Sequence, residues 1–467
     1  MHEAREECGV FAIYAPGEDV ARTTFFGLYA LQHRGQESAG ITTGDGTKLE
    51  THAEMGLVSQ VFDEEKLSHL QGHLAIGHTR YSTTGSSRSS NAQPIVIDSQ
   101  NGRIAIAHNG NLVNTAELKA DLEEQGHTYV TTTDSEVIGR IIAETPGKDW
   151  VERIERAMHR LVGAYSLVLA TPTEIYVVRD PMGVRPLCLG QLGSGWVAAS
   201  ETCALDTISA KFLREVQPGE ILRIDQNGPV SREVKINQRE ALCIFEYIYF
   251  ARPDSVIGGR RLYMTRERMG AQLAKEHPVD ADVVIGVPDS ATAAAVGYAR
   301  ESGIPYREGI VKSRYIGRTF IQPDQRLREA GIRLKFNPLP EVLLDKRVVV
   351  VDDSIVRGTT TRPLVLMLRQ AGAREVHVRI SSPPWRYPCV LGIDTPMARR
   401  HELIAARLSI EEIRQHIDAD SLGFLSLDGL VESIQLPGNK FCNACLTGDY
   451  PVPVQLELDK FPLELRV

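Results

Sequence analysis

The chain reads as two domains of different class: a strand-rich α+β domain over residues 8–235, then an α/β domain over 236–400 with a parallel sheet. A tail of helices and loops, 401–467, follows. Three observations predict this. At 467 residues the chain exceeds the size of one ordinary domain. Its first half carries many short apolar runs punctuated by Gly, Asn, Asp and Thr, the pattern of strands joined by turns. Its second half alternates all-apolar runs with helical stretches, the pattern of parallel strands covered on both faces.

In chain order, Met1–Glu7 is charged and poor in apolar residues, so it supplies neither a membrane span nor the apolar core of a signal peptide. Val10 to Tyr14 predicts a strand. Further strands are expected at Leu74–Gly77, Ile104–Ala107, Ser166–Leu169 and Ile175–Val178. Helices are expected at Val113–Gln125, capped by Asn114-Thr115, and at Ser135–Glu144, capped by Asp134 or Ser135. The run from His78 to Gly85 leaves its strand for a loop, and Asn109-Gly110 reads as a tight hairpin turn. In the second half the expected order is strand Val283–Val287, helix Ala291–Ser302, strand Val348–Val351, helix Thr361–Ala371 and strand Val376–Ile380. Lys312 to Asn337 is polar and Arg-rich, and a loop of that length is expected to be either a functional lid or disordered. The tail offers a helix at Ile410–Ile417, then loops and a Cys pair.

Composition narrows the function classes. Hydrophobic content of 42% and charged content of 24% are those of a soluble globular protein. A net charge of −8 argues against a general nucleic-acid binder, and no apolar run reaches the roughly 18 residues a membrane helix needs. Seven cysteines in so long a chain make no disulfide framework, so a reducing cytoplasmic setting is expected.

The residues that carry chemistry fall in three groups. Cys8 stands immediately before the first strand. If Glu7–Cys8 were cut, its α-amine, titrating at about 7.7–8.0, could accept its own thiol proton. The alternative is a cysteine buried for packing. In Arg347 to Thr361, four valines lead to Asp352-Asp353-Ser354 and then to Arg357-Gly358-Thr359-Thr360-Thr361 at a helix start. Backbone N–H groups there can cradle an anion, while paired carboxylates suit sugar hydroxyls or Mg²⁺-bound water. No P-loop lysine motif exists. Gly286 to Ala291 also ends a buried strand and opens a helix, so its backbone amides could receive an anion, while Asp289-Ser290 reads equally well as a helix N-cap. Lys312 opens a cationic loop running to Thr319, either a solvated basic loop or part of a lid. Finally, Cys442-Asn-Ala-Cys445, with Cys243 and Cys389 far away in sequence, suits a zinc site, an iron–sulfur cluster or a redox pair on spacing alone. Cys188 and Cys203 read as core fillers.

The Asp352–Thr361 segment resembles the 5-phosphoribosyl 1-pyrophosphate (PRPP) signature of type I phosphoribosyltransferases. The resemblance implies that Asp352 and Asp353 face ribose hydroxyls and Mg²⁺, that Ser290 adds a Mg²⁺ contact, and that Ser354, Arg357–Thr361 and Lys312 bind PRPP. Cys8, with Arg80, Asn109-Gly110 and Asp134, resembles the N-terminal-nucleophile (αββα) glutaminase domain of amidotransferases. It implies Cys8 as nucleophile, Asn109 and the Gly110 N–H as oxyanion hole, Arg80 as clamp on the glutamine carboxylate and Asp134 as acceptor of its ammonium. His33 and Arg34 lie near this site without a chemical step. Both halves together resemble the amidophosphoribosyltransferase family, over nearly the whole chain. That implies glutamine and PRPP as substrates, 5-phosphoribosylamine for purine synthesis as product, purine nucleotides as feedback inhibitors and a homotetramer. The cysteine positions are similar to its iron–sulfur branch, in which Cys243, Cys389, Cys442 and Cys445 hold a [4Fe–4S] cluster and residues 1–7 are a propeptide. A PRPP-sensing regulator without catalysis, or an amidotransferase with another acceptor domain, are the competing classes.

Overall fold

The structure, a computed structural model, describes residues 8–81, 88–313, 334–393, 395 and 397–454. The expected propeptide 1–7 and residues 314–333 of the expected lid lie outside the described residues.

Thirteen strands up to residue 233 form two antiparallel sheets. They are β1 (Gly9–Tyr14), β2 (Ser38–Gly44), β3 (Leu49–Met55), β4 (Leu74–Arg80), β5 (Ile95–Ser99), β6 (Gly102–Leu112) and β7 (Gly163–Ala170). The rest are β8 (Ile175–Arg179), β9 (Cys188–Leu192), β10 (Gly195–Ala199), β11 (Lys211–Glu215), β12 (Glu220–Asp225) and β13 (Gly228–Glu233). One sheet runs β11-β9-β10-β1-β4-β2-β3, the other β13-β12-β8-β7-β6-β5.

Side-chain alternation stacks four layers. In β1, Val10, Ala12 and Tyr14 join Ala107, Val168 and Val177 in the core between the sheets. Phe11 and Ile13 face the other way and meet Val20, Leu28 and Ala204 of the helices Val20–Ala30 and Thr202–Thr207. On the far side of the second sheet, Ile106 and Leu167 meet Leu118, Ile138 and Ile154 of three more helices. The order is therefore α, β, β, α. Because both faces are covered at the centre of each sheet, β1, β7 and β8 read as nearly continuous apolar runs although they pair antiparallel, while the outer strands β3, β11 and β13 are polar and largely exposed.

The strands after residue 235 that carry the sites are β14 (Leu242–Cys243), β15 (Val283–Gly286), β16 (Arg347–Asp352), β17 (Glu375–Ile380), β18 (Ser421–Phe424) and β19 (Phe441–Cys442). Two short antiparallel pairs complete the described strands: Val256–Ile257 with Arg260–Arg261, and Ile310–Lys312 with Phe336–Pro338, so Lys312, expected in a loop, ends a strand. β15-β16-β17-β18 make a parallel sheet. Helices Leu262–Glu276 and Thr292–Ser302 cover one face through Leu273, Ala294 and Tyr298. Helices Thr361–Gln370 and Ile410–Ile417 cover the other through Leu364, Leu368 and Ile413.

Four expectations need correction. Asn109-Gly110 is no hairpin turn: β6 continues through it to Leu112, and Gly110 takes φ +150 because a Cβ there would lie 2.0 Å from the Ala164 carbonyl oxygen. His78–Arg80 is strand rather than loop, held by β1 and β2 on its two sides. Neither Asp134 nor Ser135 caps its helix, whose N-cap is Thr133. The tail is not only helices and loops. Ser421–Phe424 becomes an edge strand because β17 offers it a pairing partner, although its sequence has weak strand character.

Candidate active site

Cys8 lies where the first β1 hydrogen bonds form. Gly9 pairs with Thr79, so Cys8 falls beside the end of β4 and against Tyr81. Its thiol donates to the Tyr81 carbonyl (3.3 Å) and accepts from the Tyr81 N–H (3.4 Å). Its own carbonyl accepts from Arg34 Nε (3.1 Å). Burial pushes the thiol pKa up to about 11, against a small opposing pull from the Tyr81 backbone and the charge of Arg80. At neutral pH this thiol stays protonated and needs a base to become a nucleophile.

A cleft brings Cys8 together with Arg80, Gly110 and Asp134, three of the residues expected beside it. Arg80 is buried and donates to Glu37 Oε1 at 2.6 Å. Asp134 opens the helix Asp134–Glu144, where the helix dipole favours a carboxylate. Its Oδ2 accepts from the Leu112 N–H (3.1 Å), and its Oδ1 lies 3.6 Å from His108 Nδ1. Asn109 adjoins Gly110 on β6 and is fully buried, yet neither its side-chain oxygen nor its nitrogen has a hydrogen-bond partner among the described residues. A buried polar group left unpaired costs about 1–3 kcal/mol, and an oxyanion formed beside Nδ2 would remove that cost for the donor side of the amide.

Sequence reasoning missed several contributors. Gln93 Oε1 accepts from the His108 N–H (2.9 Å), and both residues line the cleft. Glu37 holds Arg80. Arg34, expected near the site without a chemical step, lies between Glu201 and Glu246, to which nothing in the sequence pointed. Burial works against charge on Glu201, but His33 and Arg34 hold its carboxyl well below the usual range. These partners stand far from one another in sequence, and no local pattern marks them.

In the second domain β15 and β16 are neighbours, so their carboxyl ends lie side by side. Ser290 Oγ donates to Asp353 Oδ2. The helix following it has Ala291 at the N-cap position, with no side-chain cap, so the capping reading of Asp289-Ser290 fails. Ser354 Oγ donates to Asp353 Oδ1 (2.6 Å), and the Asp353 N–H to Asp352 Oδ1 (2.9 Å). Lys312 Nζ donates to Asp289 Oδ2 (2.6 Å), which places it at the same sheet edge. Arg357 pairs with Glu402 (2.6 Å). Gly358 takes φ +72, and Thr359 and Thr360 lead into the helix that starts at Thr361. Residues 314–319 of the cationic loop lie outside the described residues.

The four separate cysteines also converge. Cys243 of β14 and Cys442 of β19 are register partners in a parallel pair. Burial, then the neighbouring Cys243 thiol and the more weakly acting Cys389 thiol, push Cys442 up to about 12. Cys445 is raised well above its ordinary value by burial and by Cys243, Cys389 and Cys442. Among the described residues, no group of three or more His, Cys, Asp or Glu side chains is arranged to hold a metal ion. Cys188 and Cys203 are buried apart from this cluster.

The geometry gives the chain two candidate centres: a buried thiol in one cleft with Gly110, next to the unpaired Asn109 amide of a four-layer sandwich, and paired aspartates followed by a glycine turn and a helix start on a parallel sheet. Residues 78–207 match the family model for a glutamine amidotransferase domain. The amidophosphoribosyltransferase of Synechococcus elongatus is 54% identical, over 99% of this chain and 94% of the relative. A solved structure of the allosteric regulatory enzyme of purine biosynthesis superposes with TM-score 0.92 at 48% identity, covering 98% of both chains. The glutamine PRPP amidotransferase of B. subtilis, complexed with ADP and GMP, superposes with TM-score 0.91 at 48% identity, over 98% of this chain and 100% of that one. This chain belongs to the amidophosphoribosyltransferase family.

The neutral thiol has a measurable consequence. In protein that retains residues 1–7, alkylation of Cys8 by iodoacetamide should rise about tenfold per pH unit above pH 7 and level off only near pH 11. A plateau below pH 9 would contradict the burial effect.

Proposed function

We propose that this chain hydrolyses glutamine at Cys8 and passes the ammonia to PRPP, forming 5-phosphoribosylamine, pyrophosphate and glutamate at the first committed step of de novo purine synthesis. The observation that carries this reading is the shared cleft of Cys8, Arg80, Gly110 and Asp134 beside the orphaned Asn109 amide, on one chain with the Ser290–Asp353 contact.

Removal of residues 1–7 would free the Cys8 α-amine, a base matched to the pH at which the thiol must ionise. The thiolate adds to the side-chain carbonyl of glutamine. The oxyanion takes hydrogen bonds from the Asn109 amide and the Gly110 N–H, donors each worth about 100- to 1,000-fold in rate. Collapse releases ammonia and leaves a thioester, which water hydrolyses to glutamate. Arg80 grips the substrate carboxylate bidentately, and Asp134 takes its ammonium. Ammonia then attacks the anomeric carbon of PRPP, and pyrophosphate leaves. Lys312, Ser354 and the Arg357–Thr361 turn hold the phosphates.

Asp352, Asp353 and Ser290 are the residues that would hold Mg²⁺. Two carboxylates and a hydroxyl make no closed cage, which fits an ion that shares its coordination with substrate phosphates and water. Mg²⁺ there would neutralise charge on the departing pyrophosphate. Cys243, Cys389, Cys442 and Cys445 would hold a [4Fe–4S] cluster. What supports four thiolate ligands at one place is the in-register pairing of Cys243 with Cys442, with Cys389 and Cys445 near enough to act on the same thiols. Its role would be structural or oxygen-sensing, since the reaction moves no electrons. The reading also includes feedback by purine nucleotides, a homotetramer, a cytoplasmic setting and no nucleic-acid partner. Among the described residues no helix is long and apolar enough to cross a membrane.

Incubation with glutamine and PRPP should release glutamate in a PRPP-dependent way. Cys8→Ala should abolish that release yet retain phosphoribosylamine synthesis from free ammonia. Unchanged glutamate release in Cys8→Ala would refute the assignment of the nucleophile. Anaerobically purified protein should contain about four irons and four sulfides per chain, lost together with its visible absorbance in Cys442→Ser. One zinc per chain and no sulfide would instead make the site mononuclear.

A further inference from the structure

Both parts of the glutamine site, nucleophile and oxyanion strand, are tied to the second domain through one buried carboxylate. Glu246, with no solvent exposure, opens the short π-helical turn Glu246–Phe250. Its Oε1 accepts from Arg34 Nη2 (2.6 Å) and its Oε2 from Arg34 Nη1 (3.1 Å). The remaining guanidinium nitrogen of Arg34, Nε, donates to the Cys8 carbonyl. On its other side, Glu246 Oε1 lies 4.0 Å from Nη1 of Arg185, a second fully buried arginine. Arg185 Nη2 donates to the Leu391 carbonyl (2.6 Å).

The segment around Leu391 lies against the oxyanion strand. Asn111 Nδ2 donates to the Val390 carbonyl (2.9 Å). Gly392 takes φ +121, and a Cβ there would lie 2.6 Å from Arg185 Nη2 and 3.4 Å from the Gly110 carbonyl carbon. A path of polar contacts thus runs from the Cys8 backbone through Arg34, Glu246, Arg185 and the Val390–Gly392 segment to Asn111, the neighbour of Gly110 on the oxyanion strand. Desolvated charges of opposite sign tolerate little displacement, since moving one leaves its partner buried without compensation.

We propose that Glu246 is a positioning residue for glutamine hydrolysis. It sets the nucleophile through Arg34, and the oxyanion strand through Arg185 and the Val390–Gly392 segment. The glutamine site is therefore completed by the phosphoribosyl-binding domain. This inference rests on the glutaminase reading of Cys8 given above. It does not touch Arg80 or Asp134, which have partners of their own in Glu37 and the Leu112 N–H. Glu246 should accordingly act on turnover rather than on substrate capture.

The test compares the unaltered processed protein with Glu246→Gln, which keeps the side-chain shape and removes the charge. Glutamine-dependent kcat should fall about 10- to 100-fold, in line with the cost of a misplacement near 1 Å. The KM for glutamine should stay within about threefold, and synthesis from free ammonia within about twofold. Alkylation of Cys8 by iodoacetamide should quicken at least about threefold, because Arg34 loses one of its two countercharges and favours the thiolate more strongly. Gly392→Ala, which leaves every charge in place, is the second variant. It should lower the same kcat while leaving the Cys8 alkylation rate unchanged. Unaltered kcat in both variants would overturn the proposal, as would an equal fall of the glutamine and ammonia reactions, which marks general unfolding. Glutamate release by the unaltered protein tests the underlying reading separately, and the alkylation comparison bears on Glu246 whichever way that falls.

Discussion

Arg34 is a guanidinium with no route to solvent, and its charge has to be balanced inside the protein. Glu201 of the first domain and Glu246 of the second do this together, and Ser255 and the Arg252 N–H of the second domain complete Glu201. Burying such ions costs several kcal/mol each before their mutual attraction is counted, so the arrangement stands only as a complete set. Burial lowers the tendency of Arg34 to stay charged, but Glu246 and Glu201 more than restore it. The two domains consequently meet around a fixed point of charge, and Cys8 is attached to that point by its carbonyl.

Around this fixed point, strand ends place both centres. In the sandwich, β1 starts beside the end of its antiparallel neighbour β4, which delivers Cys8, Arg80 and Tyr81 to one rim, and β6 of the facing sheet delivers Asn109 and Gly110. In the parallel sheet, β15 and β16 terminate together and present Ser290 to Asp353, as ligand sites of open parallel sheets generally do. The thiol is neutral because it is buried. Ionisation therefore depends on a local base rather than on solvent, and a thiolate shielded from water is also protected from idle side reactions.

Much of this was legible in the sequence because the information is local. Four valines, two aspartates and a Gly-Thr turn occupy one stretch, and the structure makes them a strand, a carboxyl end and a helix start. Cys8 before an apolar run is equally local. Asn109-Gly110 was not legible, since the pair has the composition of a turn and only the close approach of Ala164 keeps it in a strand. Nor were Glu201 and Glu246, which reach Arg34 from 167 and 212 residues away. Ser421–Phe424 acquires its strand conformation from β17, not from its own residues. Local sequence specified the reactive groups, and distant chain supplied the groups that hold them in place.

The most direct measurement is an experimental structure of the processed protein after Cys8 has been alkylated by a glutamine-derived electrophile. The account predicts a bond to Cys8 Sγ, the adduct carbonyl oxygen within hydrogen-bond reach of both the Asn109 amide and the Gly110 N–H, and the amino-acid end between Arg80 and Asp134. An adduct on another cysteine, or a carbonyl oxygen turned away from Asn109 and Gly110, would contradict it.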